Sequence, residues 1–588
     1  MTLSNLFIFT GLWLFLPIEV FMYYVAYELI SPRYLFYEEI RLIILVAPVL
    51  IIISSTLTNI SRYRYGHRDF SLKDALGKGQ KEIHEGKAAH DAMYPKVKRK
   101  YLSRYPKDFV LGTTNNGRYI HYPLSEDGTM VYVIGAPGSH KTVMLISWLY
   151  AVYYQKRIYR DKSKKAGRMW NFVVVDIKGE IYRKLIKIKG QYVATGKERL
   201  RVFEPSNRLS YGWDVFYMLK GEHISDTTRL KALQDIADGL VEETKNNTYF
   251  SDNAKKILMG VLYFYSKKGE DFIPIIKKIN SEPMDKLLEE IVKEAKIKGD
   301  SVTLSFLAGF VGKKDNESIQ DVESTLKTKL QTFVYPDIVY ALQNNPYKTS
   351  PRDLNTGKVS IDIAIEESML AIYRPLFRLL CIQILKHCAA EFREEDNRMT
   401  SLIYDEAAAI KKIPDISNTM ATCRSKHVNV CLIFQARTQF DSIYGRDEAD
   451  TILNLCKLKI FLSCEGDKST IDYVQNMTGK YIDKKQSYQK KGALIKNASL
   501  MDEEKPIVDG RALMSLTERK EAVVFINGNY YRIKKIMYFK DPYLAPIASE
   551  VINFNKNHTI NKNKSKAKET TQQRARNKNR KCRGRYNW

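Results

Sequence analysis

Two long apolar runs open the chain, from Leu6 to Ile30 and from Leu42 to Ile60. The second carries no charge and matches the ~20 residues that a helix needs to cross a bilayer. The first is interrupted by Pro17 and Glu19 and has Glu28 near its end. It lacks a basic leading region and a small-residue cleavage site, so it is expected to be retained rather than removed as a signal peptide. A carboxyl such as Glu19 at mid-span costs about 3 kcal/mol on insertion scales; it either packs protonated against a neighbouring helix or has an active role. The link from Ser31 to Arg41 is short and balanced in charge, whereas Arg62, Arg64, Arg68 and Lys73 follow the second run. By the positive-inside rule that basic side is cytosolic. The pattern predicts a two-helix transmembrane hairpin over residues 1–60 with both termini in the cytosol; a soluble buried hairpin is the competing reading.

After the hairpin the pattern changes. Residues 61–107 are polar and basic, with Lys96, Lys98, Arg99, Lys100 and Arg104 suited to anionic headgroups. From Asp108 short β-branched runs alternate with helical or turn patterns, giving strands at Val131–Ile134, Phe172–Val175 and Arg201–Phe203. Residues 222–347 show helix-period stretches, among them Ala254 to Tyr265 and Ile319 to Phe333, and almost no strand signal. The alternating pattern then returns, with Val359–Ile363, a long helix around Arg374 to Phe392, and strands at Leu402–Tyr404, Val430–Phe434, Lys459–Leu462 and Ala522–Ile526. The predicted fold class is therefore α/β. One nucleotide-binding domain is written in two parts, 108–221 and 348–547, around an inserted all-α domain at 222–347. Residues 548–588 become rich in Asn, Lys and Arg and are expected to be a disordered tail.

Charge sharpens this outline. The formal net charge is +28, and from Lys556 onward twelve Lys or Arg face one acid, so the tail supplies +11 of it. That tail can grip DNA phosphates, capture an acidic partner or merely solubilise the end. The cysteines Cys381, Cys388, Cys423, Cys431, Cys456, Cys464 and Cys582 form no C-x-x-C pair and read as reduced core residues.

The chemistry sits in two places. Gly135-Ala136-Pro137-Gly138-Ser139-His140-Lys141-Thr142 follows an apolar strand and leads into an apolar helix. A strand, a glycine-bearing loop and a helix starting at Lys-Thr make a phosphate cradle for ATP. Backbone N–H groups from Gly135, Gly138, Ser139 and His140 surround the phosphates, Lys141 reaches their oxygens and Thr142 takes Mg²⁺. His140 stands where the pattern G-x-x-x-x-G-K-[ST] asks for glycine, and a histidine there can cost about 1–3 kcal/mol if the site needs a glycine-like backbone. The second place is Ser401-Leu402-Ile403-Tyr404-Asp405-Glu406, an apolar strand ending in two acids. Asp405 can join the Mg²⁺ shell and Glu406 can polarise an attacking water. Gln435 ends the next strand and reads either as a γ-phosphate sensor or as an ordinary strand end. Arg424, in the loop before that strand, reads either as a surface arginine or as a finger reaching a neighbour's nucleotide in a ring.

Beyond these two segments the chain resembles the TraG/TraD-like coupling ATPases of type IV secretion and conjugation. Val174-Val175-Asp176-Ile177-Lys178-Gly179-Glu180 is similar to the family's D-x-K-G-E, and Phe203-Glu204-Pro205 to its F-x-P. Trp213-Asp214-Val215-Phe216 keeps only the tryptophan of W-N-P-L. Leu432 to Phe440 resembles the apolar-Q-x-x-x-Q strand end, and Gly510–Leu513, Tyr531–Lys535 and Phe539–Pro542 resemble the closing strands. The resemblance implies a RecA-like P-loop motor, assembled as a homo-hexameric ring at the cytoplasmic mouth of a secretion channel in a bacterial inner membrane. It implies non-specific binding of single- or double-stranded DNA, and contact between the helical domain and a relaxase or effector protein. On this carry-over Glu406, Gln435 and Arg424 have the catalytic roles named above, with ATP and Mg²⁺ as cofactors. The alternative is a docking receptor that binds nucleotide but hydrolyses little because of His140.

Overall fold

The computed structural model describes residues 83–84 and 95–553, except 124–127, 160–168, 190–195, 222, 243–247, 313–315, 392–397 and 492–493. The expected membrane hairpin at 1–60, most of the 61–107 linker and nearly all of the basic tail lie outside these residues. Twelve strands form the main sheet. In chain order they are β1 (Leu102–Ser103), β2 (Phe109–Thr113), β3 (Tyr119–Tyr122), β4 (Met130–Ile134), β5 (Met169–Asp176), β6 (Leu200–Phe203), β7 (Ser360–Ala364), β8 (Arg398–Tyr404), β9 (Val428–Phe434), β10 (Cys456–Phe461), β11 (Glu521–Ile526) and β12 (Asn529–Lys534). Their spatial order is β1-β3-β2-β12-β11-β10-β4-β9-β8-β5-β7-β6. The seven from β10 to β6 run parallel, and the remaining five extend the sheet antiparallel.

The parallel strands are nearly continuous apolar runs because both faces are covered. Alternation sorts β4: Val131 and Val133 join one buried cluster, whereas Met130, Tyr132 and Ile134 join the other. The first cluster is capped by α1 (Lys141–Tyr159) and α2 (Ile181–Lys189). The second is capped by α5 (Leu370–Ala390) and α6 (Ile416–Ser425). Helix α5 begins earlier than the apolar pattern predicts and carries Pro375 inside it, where the missing N–H forgoes one backbone bond.

Polar pins fix the register of the central strands at their N-terminal ends. Asn429 accepts from the Thr129 N–H at 2.7 Å and donates to Ser401 Oγ at 3.1 Å, and Trp170 Nε1 donates to the same oxygen at 3.0 Å. Thr400 Oγ1 donates to Asn171 Oδ1 at 2.8 Å, while the Asn171 amide serves the carbonyls of Leu354 and Val359, both at 2.9 Å. All of these side chains except Trp170 are polar and buried, so each bond is held in a low-dielectric interior where leaving it unmade is costly.

Between the short parallel strands Gly212–Trp213 and Lys348–Thr349 the described chain is helical. It includes α3 (Asp226–Leu240) and α4 (Thr248–Lys267), then helices at Phe272–Ser281, Met284–Lys298, Ser301–Leu307 and Asn316–Leu330. Ser225 and Asp300 cap two of them by accepting from the N–H groups of Thr228 and Thr303. This segment and the α5 face of the sheet share one continuous buried core. The seam is polar at defined points. Lys386 Nζ meets Asp235 Oδ1 at 2.7 Å, and Arg378 Nη1 donates to Gly239 O at 3.1 Å. Gln383 accepts from Trp213 Nε1 at 3.0 Å and donates to Val215 O at 2.8 Å.

Two departures from the sequence reading stand out. Gly510–Met514 is a short helix, not a closing strand. Lys480–Lys491 and Leu494–Pro506 form a long antiparallel hairpin that the hydrophobic pattern does not announce, with Ile83–His84 added beside it.

Gln383→Leu strands both Trp213 Nε1 and Val215 O in the core. We expect it to lower stability by about 2–4 kcal/mol, read from chemical denaturation; an unchanged midpoint would show that the bridge contributes nothing.

Candidate nucleotide site

The C-terminal ends of β4, β9, β8 and β5 converge, which is where open α/β sheets bind ligands. The loop from Gly135 to His140 leaves β4 there. Gly135 N donates to Phe434 O at 3.1 Å, and a Cβ at Gly135 would lie 2.3 Å from Ser139 Oγ, so any larger residue would force the Ser139 hydroxyl to move. Gly138 has φ +78° and His140 has φ +74°. His140 thus adopts the left-handed backbone that the pattern's glycine would supply, and its carbonyl accepts from Met144 N at 3.0 Å in the first turn of α1. Burial is the main cause of a lowered His140 pKa, with the Lys535 ammonium adding to it, which favours the neutral imidazole. Ser139 Oγ is buried without a hydrogen-bond partner. Lys141 Nζ donates to Gly135 O at 2.6 Å and Ala136 O at 3.2 Å. Burial depresses its pKa, and the charges of Glu406 and Asp405 oppose that shift.

Asp405 and Glu406 follow β8. Asp405 N donates to Val175 O at 3.1 Å, which ties the pair to the end of β5. Burial pushes the Asp405 carboxyl up to about 7, Asp176 adds to the shift, and Lys141 works against it. Glu406 sits at φ +64°, and its Oε1 accepts from Gln435 Nε2. The Gln435 N–H in turn donates to Gln439 Oε1 at 3.1 Å. The two glutamines of the Q-x-x-x-Q segment therefore divide the work: the first holds the Glu406 carboxylate, and the second fixes the backbone of the first.

The structure brings Gly135, Gly138, Ser139, His140, Lys141 and Thr142 onto one turn, with Asp405, Glu406 and Gln435 at the neighbouring strand ends. Arg424 is elsewhere. It is exposed in the last turn of α6, not in a loop, because the helix continues to Ser425 before β9 begins. The Arg424 backbone packs beside Gly128, at the opposite end of β4 from the phosphate loop. Five extended residues put these ends ~17 Å apart, so Arg424 lies outside the nucleotide site of its own chain.

Two acidic neighbours carry no role in the sequence reading. Asp176 is buried and accepts from the N–H groups of Ile181 at 2.7 Å and of Lys178 and Tyr182 at 3.4 Å. Its place in D-x-K-G-E is thus that of a cap for α2, and its carboxyl is raised by burial against those bonds. Asp362 on β7 is fully buried with both oxygens unpartnered; burial, then Asp176 and Glu204, hold it protonated. A polar residue inside an apolar strand was the available signal, but its neighbours belong to other strands.

The arrangement fits a magnesium nucleotide. The loop turns twice through left-handed backbone, a lysine stands within it, an orphan hydroxyl lies in it, and two carboxylates stand beside it. The family described as type IV secretory system conjugative DNA transfer matches residues 102–578. Similar solved structures include the unbound bacterial conjugative coupling protein TrwBΔN70, at 17% identity and a TM-score of 0.54, covering 74% of this chain and 90% of that one. TrwB bound to the non-hydrolysable ATP analogue ADPNP has 16% identity and a TM-score of 0.54, with 76% and 93% covered. TrwB with ADP and Mg²⁺ has 17% identity and a TM-score of 0.55, with 76% and 94% covered. At these identities the likeness is one of fold: an α/β fold with a large parallel sheet. None of the curated protein sequences matches significantly.

The raised Asp405 carboxyl has a testable sign. It stays protonated in the native state between about pH 4 and 7, where the unfolded chain has already ionised. Stability is therefore expected to fall as pH rises through that window. Asp405→Asn should raise the melting temperature of the nucleotide-free protein by a few degrees at pH 8 and leave it unchanged at pH 4; an equal effect at both values would refute the burial account.

Proposed function

The chain belongs to the type IV secretory conjugative DNA-transfer family, and from that premise we propose that it is a membrane-anchored P-loop ATPase. In this reading it recruits a DNA–relaxase or effector protein substrate and drives it into a secretion channel. The observation that carries the proposal is the shared strand edge on which the phosphate loop meets Asp405, Glu406 and Gln435. Magnesium ATP, when bound, supplies the phosphoanhydride whose cleavage releases free energy and the cation that offsets phosphate charge. Backbone N–H groups of residues 135–142 and the Lys141 ammonium would hold the phosphates, while Thr142 and Asp405 would hold Mg²⁺. Glu406 orients water and takes its proton; Gln435, already bonded to Glu406, aligns that carboxylate and senses the γ-phosphate. Arg424, remote from its own chain's loop, is either a surface arginine or the finger that a homo-hexameric ring would bring to a neighbouring subunit's nucleotide.

The anchor at 1–60 and the cytosolic basic tail support work at an inner membrane, and the net charge of +28 supports non-specific DNA binding. The helical segment is the surface proposed for the relaxase or effector. The docking-receptor reading rests on His140. Its left-handed backbone keeps the loop's turn, which favours turnover.

ATP hydrolysis by the full chain, with and without DNA, tests the motor. Lys141→Ala should abolish nucleotide binding and substrate transfer. Glu406→Gln should retain binding and slow turnover about 10²-fold or more. Turnover seen only after His140→Gly would overturn the motor in favour of the docking receptor. Removing residues 556–588 should weaken DNA binding and flatten its salt dependence; an unchanged slope would take the tail out of the DNA account.

A further inference from the structure

A loop that turns its N–H groups toward an anion must turn its carbonyls away from it, and those carbonyls need donors of their own. Inside the loop Lys141 supplies them for Gly135 and Ala136. A second lysine does so from outside. Lys535 follows β12 directly, and its backbone is fixed where its N–H donates to Lys520 O at 2.7 Å. Its Nζ donates to Ser139 O at 3.1 Å and to Leu462 O at 2.8 Å. Leu462 is itself joined to the P-loop strand, its N–H donating to Ile134 O at 2.8 Å. Lys535 therefore clamps the loop to the ends of β10 and β12.

We infer that Lys535 is a positioning residue of the nucleotide site, which holds the Ser139–His140 peptide in the plane that phosphate binding requires. This deepens the nucleotide reading and rests on it. The bonded carbonyl belongs to the peptide that leads into His140. With glycine at residue 140 the positive φ would cost little, but a residue with a Cβ gains by rotating this peptide out of the left-handed region. The clamp opposes that rotation. Burial lowers the Lys535 pKa to about 8, and nearby Glu465 supports its charge. The lysine is thus kept in a costly place, as a bonded tether rather than a solvated surface charge.

The test is the affinity of full-length protein for a fluorescent ADP analogue with Mg²⁺. Lys535→Met should weaken binding about tenfold, and Lys535→Arg should restore most of it. In a His140→Gly background the same Lys535→Met change should cost no more than about twofold. Lys535→Leu, which also lacks a donor, substitutes with the same expected loss if the Met protein does not fold by thermal melting. Unchanged affinity in Lys535→Met, or an equal penalty in the His and Gly backgrounds, would overturn the clamp. Absence of binding by the unmodified protein would instead overturn the nucleotide reading beneath it.

Discussion

The hydrogen bonds that lock β4, β9, β8 and β5 together at their N-terminal ends decide where everything stands at the other end. A parallel sheet of β-branched residues has little in its side chains to forbid a slip by two positions, since such a slip keeps every residue on its own face. Asn429, Ser401, Trp170, Thr400 and Asn171 remove that freedom, because a slipped strand would leave buried polar groups without partners. With the register set, Ile134 stands opposite Phe434, and Tyr404 opposite both Leu432 and Val175. The phosphate loop, the carboxylate pair and Gln435 then leave the sheet at one level. The site is the far end of a frame that is squared elsewhere.

The sequence made legible what depends on near neighbours along the chain. The strand–loop–helix at 130–145 and the apolar strand ending at Asp405 are local patterns, and the sheet uses both as read. Gln435 was recognisable from its position after an apolar run. The role of Gln439 was not, since its contact with the Gln435 N–H depends on how the chain turns after β9. Ser and Thr make the helical signal of Ile416–Ser425 weak, and packing of Ile416, Met420 and Cys423 on the core decides for a helix, so Arg424 stands in a helical turn rather than the expected loop. The 480–506 hairpin left little trace because its sequence is polar and charged, with no run of apolar positions to announce two strands, and only the backbone pairing reveals it. Lys535 belonged to a recognised closing segment, yet its reach to Ser139 spans 396 residues of sequence and no local pattern encodes it.

Electrostatically the site is built against a background of unfavourable burial. Asp176, Asp362 and Asp405 are all shifted toward the protonated form, each chiefly by desolvation. Asp362 therefore adds little negative charge behind the loop, whereas the Asp176 carboxylate still pushes up Asp405, which is poised near neutrality. Lys141 lies close enough to Asp405 for each to favour the charged form of the other. The site's charge state is thus a collective property of strand ends, not of one residue.

The core shared by the helical segment and the α5 face has a mechanical consequence. Modules joined by a hinge can swing independently, because few contacts are lost when they part. Here separation would expose a continuous apolar interior, so the helices and the sheet must deform together as one elastic body. α5 runs along that interior and connects β7 to the strand that carries Asp405 and Glu406. A load applied to the helices would consequently reach the carboxylates through that shared interior, as strain within a solid.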